Sequence, residues 1–345
     1  MNEAVSDDLN MASARAPMLY QPSGRVPVTS LVAAAAVLIP LALVLGFLYS
    51  AAMVYLPYVK LRGLVTFFSG AGLGFIAGTL CYRLKYRSRL FAFLTILGFT
   101  SIAYYTCWAV HPGLVGLKFD GLAMPDFIAI VLAGFDPLFI AKWIGMLYDD
   151  GLWNMGGGKM KGLWLVAIWL IEFGMIFGTS IAGGMKTYGK KPFCEICNSW
   201  NDETEDLAVL PVSTDDPAWT RVRNGDFDAL KKLQIVPDQQ ATYVELRLAD
   251  CPTCDQSDYL SAIGITLTVD EGEIKKNESD IFRHLTVTRT QREEIVAFAE
   301  AMAEAVREMS EADDEFDEQE ASEEATTDDV NPYEPPGETG ETGRG

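Results

Sequence analysis

The first half of the chain has long stretches that lack charge. No Asp, Glu, Lys or Arg occurs in residues 27–58, 63–82 or 90–117. A helix needs roughly 20 apolar residues to cross a bilayer, and each of these stretches is long enough. The lack of charge therefore excludes a single water-soluble globule and predicts a helical membrane domain, with the lipid bilayer as its surroundings.

Histidine is also scarce. The chain has two, His111 and His284, which are far apart in sequence. Neither has a serine, cysteine or acid at a catalytic spacing, so the sequence does not support a hydrolase triad. No catalytic residue and no small-molecule substrate can be assigned, and we expect a protein that is not an enzyme.

Basic residues are nearly absent from the C-terminal end. From residue 311 onward, 14 acidic residues stand against one basic residue, Arg344, and the whole chain has a formal net charge of −20. Such a charge repels phosphate backbones, which argues against a nucleic-acid partner. The low apolar content of residues 311–345 predicts a disordered acidic tail.

The N-terminus lacks the features of a secretory signal. It opens with the acidic stretch MNEAVSDDLN, and the first apolar run is too long for a cleaved segment. We predict a polar N-terminal arm at 1–27 and a membrane domain at 28–185. The spans are predicted at about 28–56, 63–82, 90–110 and 162–185.

The apolar segment 121–153 is a further candidate for the membrane. Asp126 and Asp136 resemble helix N-caps, and Pro137 follows at the first helical position. They predict helices near 127–134 and 137–148, and at 1.5 Å per residue neither crosses ~30 Å of hydrocarbon. We expect interfacial or re-entrant helices within 126–148. If the segment were one continuous span, the C-terminal domain would be extracytoplasmic.

Positive residues in short loops predict the orientation. Basic clusters at 83–89 and 186–191 favour the cytoplasmic side, whereas Lys60 and Arg62 would then lie in an outer loop. We therefore expect an integral protein of a prokaryotic cytoplasmic membrane, with both termini in the cytoplasm.

Glycine recurs every four residues in the second span, at Gly70, Gly74 and Gly78. A nucleotide-binding loop would need a preceding strand, and none is predicted here. The spacing instead favours a seam of small residues that lets two membrane helices approach closely.

Residues 186–310 have the pattern of a soluble α+β domain. Residues 216–236 are predicted to be helical, and Thr290 with Glu293 predicts a capping box for a closing helix. Three alternating stretches predict strands, at 241–250, 259–269 and 281–288.

Four of the six cysteines form two CxxC pairs, Cys194 with Cys197 and Cys251 with Cys254. Two such turns can complete a tetrahedral site of four thiolates for zinc. The segments CEIC and CPTC resemble the knuckles of a zinc ribbon, which implies a closed structural Zn²⁺ site. The resemblance covers only the knuckles and the strand before the second pair, and 53 residues separate the pairs instead of the usual 15–20. An inserted helix at 217–233 would account for the difference.

Thiol redox chemistry is an alternative for CPTC, because thioredoxin-like motifs also use CxxC after a strand. Such a motif opens a helix, whereas here a strand pattern follows. A disulfide is not expected in a reducing cytoplasm. The two remaining cysteines, Cys81 and Cys107, are predicted to be apolar fillers within spans.

Glu172 is the one acid near the middle of a predicted span. An ionised carboxylate facing lipid is costly, so we expect Glu172 to face other helices. In one interpretation, Glu172 contacts an ion, a proton or a substrate. In the other, it is a protonated or hydrogen-bonded acid with a structural role, packed against Tyr104, Tyr105 or Ser69. Asp136 and Lys142 are the other charged residues expected near it.

The leading hypothesis is a membrane protein that anchors a zinc-binding cytoplasmic domain, which binds a protein partner. One alternative is a small transporter, channel component or intramembrane enzyme that uses Glu172. A second alternative is a membrane-anchored thiol redox protein.

Overall fold

The computed structural model describes residues 18–307, apart from 57, 152, 156–157, 190, 234–241, 255, 271–272 and 306. Two compact units divide the chain: a helical unit, Gln21–Trp200, and a sheet unit that holds the described residues from Asn201 onward together with 18–20. The predicted acidic tail and most of the N-terminal arm lie outside the described residues. The predicted domain boundaries stay predictions.

Long apolar helices dominate the helical unit. In chain order its elements are α1 (Val28–Tyr55), α2 (Val59–Arg83), α3 (Arg89–Phe119), α4 (Met124–Gly134), α5 (Pro137–Asp150), β1 (Trp153–Met155), β2 (Gly158–Met160), α6 (Leu163–Tyr188), β3 (Phe193–Cys194) and β4 (Ser199–Trp200). Four of them, α1, α2, α3 and α6, are long and apolar enough to cross a membrane, as the sequence predicted.

Helix α3 is longer than predicted. It continues through Pro112 to Phe119, whereas the predicted span ended at residue 110. Val110 and Leu114 are buried against Phe127 and Val131 of α4. This packing supplies the burial that offsets a proline inside a helix.

Two short helices, α4 and α5, occupy the apolar segment 121–153, as predicted, and they meet at a bend of 104°, a geometry that fits a broken span or a re-entrant pair. The backbone N–H of Leu138 donates to Asp136 Oδ1 at 3.0 Å, which confirms Asp136 as an N-cap. The same prediction for Asp126 was wrong, because α4 begins at Met124 and places Asp126 in its first turn. Pro125 fixes a helical φ at the start of α4, so the helix begins before Asp126.

The glycine seam of α2 lies against α6. A Cβ at Gly74 would collide with the backbone of Ser180, and one at Gly78 would collide with the backbone of Gly184. Beside the seam, the hydroxyls of Thr100 and Ser180 form a buried hydrogen bond of 2.6 Å. The seam is therefore a helix contact, as predicted.

The sheet unit is built on four antiparallel strands in the order β5-β6-β7-β8. The strands are β5 (Asp202–Leu210), β6 (Thr242–Asp250), β7 (Asp258–Asp270) and β8 (Glu273–Val287). The predictions of β6 and β7 are confirmed. Strand β5 was missed, and β8 begins at Glu273 rather than at residue 281. Both missed stretches are rich in charged residues and lack an alternation of apolar and polar residues. They form strands because a neighbouring strand is available to pair with them.

One face of the sheet carries the core. Leu246, Leu260 and Leu285 are fully buried there and pack with Trp219 and Ile295 from the helices. The helix predicted at 216–236 is in fact α7 (Ala218–Arg223) followed by a 3₁₀ helix (Phe227–Lys232). Gly225, with φ of 96°, lies at the break.

The last described helix, α8, covers 289–305. Its capping box is Thr288 with Gln291, not Thr290 with Glu293 as predicted. The Thr288 hydroxyl accepts from Gln291 N at 3.3 Å, and Gln291 Oε1 accepts from Thr288 N at 2.9 Å. Because both pairs have the required spacing, the choice depends on where β8 ends, at Val287.

Candidate metal centre

The first CxxC pair lies in a small hairpin, which we call the first knuckle (residues 193–200). Strands β3 and β4 pair antiparallel, with Cys194 opposite Ser199. Asn198 takes a positive φ of 51° in the turn, a conformation that asparagine tolerates well. The turn brings the backbone N–H of Cys197 to 3.5 Å from Cys194 Sγ.

Two cations from the loop between α2 and α3 contact the first knuckle. Arg87 donates to Asn198 Oδ1 at 2.6 Å and pairs with Glu195. Lys85 Nζ donates to the backbone oxygen of Asn198 at 2.5 Å. The loop therefore fixes the turn that carries Cys194 and Cys197.

Trp200 closes the first knuckle on its other side. Its indole Nε1 donates to the backbone oxygen of Tyr82 at 2.9 Å, and the two rings stack with centroids 5.1 Å apart. Phe193 packs edge-on against the same indole. These contacts attach the first knuckle to the end of α2.

The second CxxC pair lies in the connection between β6 and β7. Cys251 directly follows the last residue of β6, and the connection ends where β7 begins at Asp258. The Asn201 side chain is fully buried and donates to the backbone oxygen of Ser257 at 2.6 Å. This bond ties the connection to the start of β5.

The structure brings the two pairs together. The Sγ atoms of Cys194, Cys197, Cys251 and Cys254 all lie within 4.8 Å of one another. In a tetrahedral zinc site with Zn–S of ~2.3 Å, neighbouring sulfurs are about 3.8 Å apart. Four sulfurs at this spacing can hold a metal ion with only a small contraction.

Burial and charge also suit a metal centre. Cys194 and Cys251 are buried, while Cys197 and Cys254 are partly exposed. Four thiolates around a divalent ion leave a net charge of −2, and Lys85 and Arg87 place two positive charges on the first knuckle. With four sulfur ligands no coordination position stays open, so such an ion would hold the fold rather than catalyse.

The sequence named the four cysteines but missed the residues that position them. Lys85 and Arg87 belong to the basic loop, whose charge served only to predict membrane orientation. Trp200 and Asn201 follow Cys197 closely in the sequence. This short separation is the one feature of the sequence that could have indicated their role.

The other predicted candidate, Glu172, lies outside this group. It accepts a hydrogen bond from Tyr49 of α1, which the sequence did not single out. The charged residues that share its cavity are Arg62 and Lys118, and not Asp136 or Lys142 as expected. Its function stays a prediction.

The remaining candidates, two histidines and Cys81, do not belong to the four-cysteine group. His111 Nδ1 accepts from Trp143 Nε1 at 3.2 Å, inside the helical unit. His284 is buried in β8, with a positive φ of 56°. Cys81 is fully buried in the helix core, as expected of a filler.

Together these features define a chain with four candidate membrane helices, followed by a sheet unit and a four-cysteine group. Searches of protein-family models, curated proteins and solved structures found no match to this chain.

Proposed function

We propose that this chain is an integral membrane protein whose helices anchor a zinc-binding cytoplasmic domain, and that this domain binds a protein partner. The observation that carries the proposal is the convergence of four cysteine sulfurs from two CxxC pairs. A closed site of this kind stabilises a fold that is otherwise small. A closed metal site with a structural role favours a binding domain over an enzyme.

Zinc is the metal that the ligand set favours. Tetrahedral sulfur sets bind zinc or iron, and hard cations such as magnesium prefer oxygen. Zinc has no redox chemistry, which fits a site whose role is structural. The redox alternative uses only Cys251 and Cys254 and gives the first pair no role.

Exposed apolar surface supports insertion into a membrane. Only 22% of the most apolar 18-residue window of α1 is buried, and only 17% of that of α6. Leu163 and Trp164, at the start of α6, are 78% and 74% exposed. Such continuous apolar surface is unfavourable in water and is covered by lipid in a membrane.

The basic loop supports a cytoplasmic position for the metal centre. Lys85 and Arg87 contact the first knuckle, and positive loops are retained on the cytoplasmic side. The reducing cytoplasm would also keep the cysteines available as thiolate ligands.

An exposed apolar pair supports a protein partner. Val269 and Ile274 lie opposite each other at the far end of the β7–β8 hairpin. They are 77% and 72% exposed. Apolar side chains presented in this way suit the centre of a small protein interface.

Elemental analysis of the full chain, purified in detergent, tests the proposal. We expect about one zinc ion per chain, falling below half in Cys194→Ser and in Cys251→Ser. Cys81→Ser, which changes a cysteine outside the group, is the control and should keep its zinc. Iron in place of zinc would refute the metal assignment, and a chain without metal would refute the proposal.

A reporter fused after residue 200, or protease access at that point, tests the orientation. A cytoplasmic reporter is the expected result. An extracytoplasmic one would mean that α4 and α5 count as a fifth span.

A further inference from the structure

A cavity of about 110 Å³ lies inside the helical unit, beside Glu172. Its walls come from α1, α2, α3 and α6, so it is independent of the metal centre. Five of its lining residues are charged or titratable, namely Arg62, Cys107, His111, Lys118 and Glu172. The largest apolar side chains in its wall are Trp108, Trp169 and Phe119. Ionisable groups within membrane spans are rare and are functional by default.

Both cations are held in place by the C-terminal end of α1. Lys118 Nζ donates to the backbone oxygen of Val54 at 2.8 Å. Arg62 donates to the backbone oxygen of Leu56 through Nε at 2.9 Å and Nη2 at 2.7 Å. The last carbonyls of a helix favour positive charge, so these contacts fix both cations along one edge of the cavity.

The other polar groups contribute less positive charge. His111 accepts a hydrogen bond at Nδ1, so this nitrogen carries no proton in the arrangement described. Glu172 accepts from the Tyr49 hydroxyl, which also lies 3.0 Å from Thr66 Oγ1. Two positive charges therefore stand against a single acid.

We propose that this cavity binds a small oxyanion, a carboxylate or a phosphate group, between Arg62 and Lys118. A cavity of about 110 Å³ has room for a small oxyanion. The indoles of Trp108 and Trp169 line the same cavity, and apolar walls lower the local dielectric and strengthen the attraction between the anion and the cations. The anion is either free in solution or the headgroup of an anionic lipid.

A cation site is the competing interpretation, since Glu172 could attract one. Two fixed positive charges in the same wall oppose it. Within the part of the chain that the structure describes, the one group of His, Cys, Asp and Glu side chains close enough to hold a metal is the four-cysteine group. Glu172, His111 and Cys107 line the cavity without converging in this way.

The role of Glu172 separates the two interpretations. A carboxylate repels an anion bound in the same small cavity, so Glu172→Gln should tighten anion binding several-fold. At a cation or proton site the same substitution would abolish binding. Whether Glu172→Gln tightens or abolishes binding therefore distinguishes an anion site from a cation or proton site.

The test uses the full chain in phosphatidylcholine nanodiscs. Inorganic phosphate and propionate are titrated while tryptophan fluorescence is followed, since Trp108 and Trp169 line the cavity. We expect saturable binding that weakens at least 10-fold in Lys118→Gln. Lys118→Arg should keep binding within a few-fold, which shows that charge rather than folding is responsible. The matched control is Lys142→Gln, an exposed lysine of α5 outside the cavity.

A second arm identifies a lipid source. Nanodiscs that contain phosphatidylglycerol are analysed by native mass spectrometry, and a retained lipid that Lys118→Gln loses indicates a headgroup site. Binding in either arm, with tighter binding in Glu172→Gln, supports the proposal. No binding in either arm, or weaker binding in Glu172→Gln, overturns it. Zinc content should not change in any of these variants, so failure here leaves the metal centre unaffected.

Discussion

The guanidinium carbon of Arg87 lies 4.3 Å from the centroid of the Phe193 ring. A cation from the loop between α2 and α3 thus stacks on the residue that precedes Cys194. The same guanidinium contacts Glu195 and Asn198 on the turn of the first knuckle. One arginine side chain therefore contacts three of the residues that shape the first half of the candidate metal centre.

Arg87→Ala should weaken the metal centre without removing a ligand. Loss of groups that support metal ligands typically lowers affinity by 10- to 100-fold, and we expect about 10-fold here. The measurement is competition for zinc with a chromogenic chelator, on the full chain in detergent. Arg83→Ala, at an exposed position at the end of α2, is the control and should leave the affinity unchanged.

Gly74→Ala should destabilise the helical unit, because a Cβ there meets the backbone of Ser180. Overpacking of this kind costs about 1–3 kcal/mol. Gly72→Ala is the matched control: its Cβ meets nothing within 4 Å, and alanine is the better helix former. Thermal unfolding of the two variants in the same detergent should give a lower midpoint for the first only. Equal midpoints for the two variants would contradict a close contact between α2 and α6 at Gly74.

The sequence predicted the long helices well because their signal is strong and local. Some twenty apolar residues in a row have few alternative folds, and the four long apolar helices follow from that. Strand β5 and the first half of β8 lack such a signal. Their residues are mainly polar, and they are strands because β6 and β7 offer hydrogen-bonding edges. Pairing of this kind depends on tertiary structure, which no short window of sequence contains.

The four candidate metal ligands were predictable because CxxC spacing is itself a chemical constraint. The residues that hold the turns in place were not, since Arg87 and Asn198 are 111 positions apart. The cavity beside Glu172 was hidden for the same reason. Its cations, Arg62 and Lys118, looked like ordinary loop and helix-end charges until the fold placed them together.

Thr288→Ala should weaken the start of α8. The lost cap hydrogen bond is worth about 1 kcal/mol. Thr290→Ala removes the residue that the sequence favoured as part of the capping box, and it should have almost no effect. Hydrogen exchange of residues 289–293 in the full chain distinguishes the two, with faster exchange expected only for the first variant. Faster exchange in Thr290→Ala but not in Thr288→Ala would instead support the capping box predicted from the sequence, Thr290 with Glu293.

Glu245 is an almost fully buried acid on β6, with 2% of its surface exposed. Its carboxylate pairs with Lys276 at 2.5 Å and with Arg247 at 2.6 Å. Burial acts to raise the pKa of Glu245, but the hydrogen bonds from Lys276 and Arg247 outweigh it and hold the pKa below its ordinary value. Ionised Glu245 therefore stabilises the folded sheet unit.

Stability of the sheet unit should consequently fall in acid. The unfolded pKa of a glutamate is about 4.3, so this contribution is complete above that pH and is lost as the pH falls through the lower folded value. Glu245→Gln should cost roughly 1.5–3 kcal/mol at neutral pH, because it removes the charge from two hydrogen bonds, while Arg247 keeps its ion pair with Glu278. It should also flatten the acid dependence. Hydrogen exchange of β6 in the full chain, measured from pH 7 to pH 3, checks both effects, with exposed Glu273→Gln as the control. An unchanged acid dependence in Glu245→Gln would show that another group is responsible.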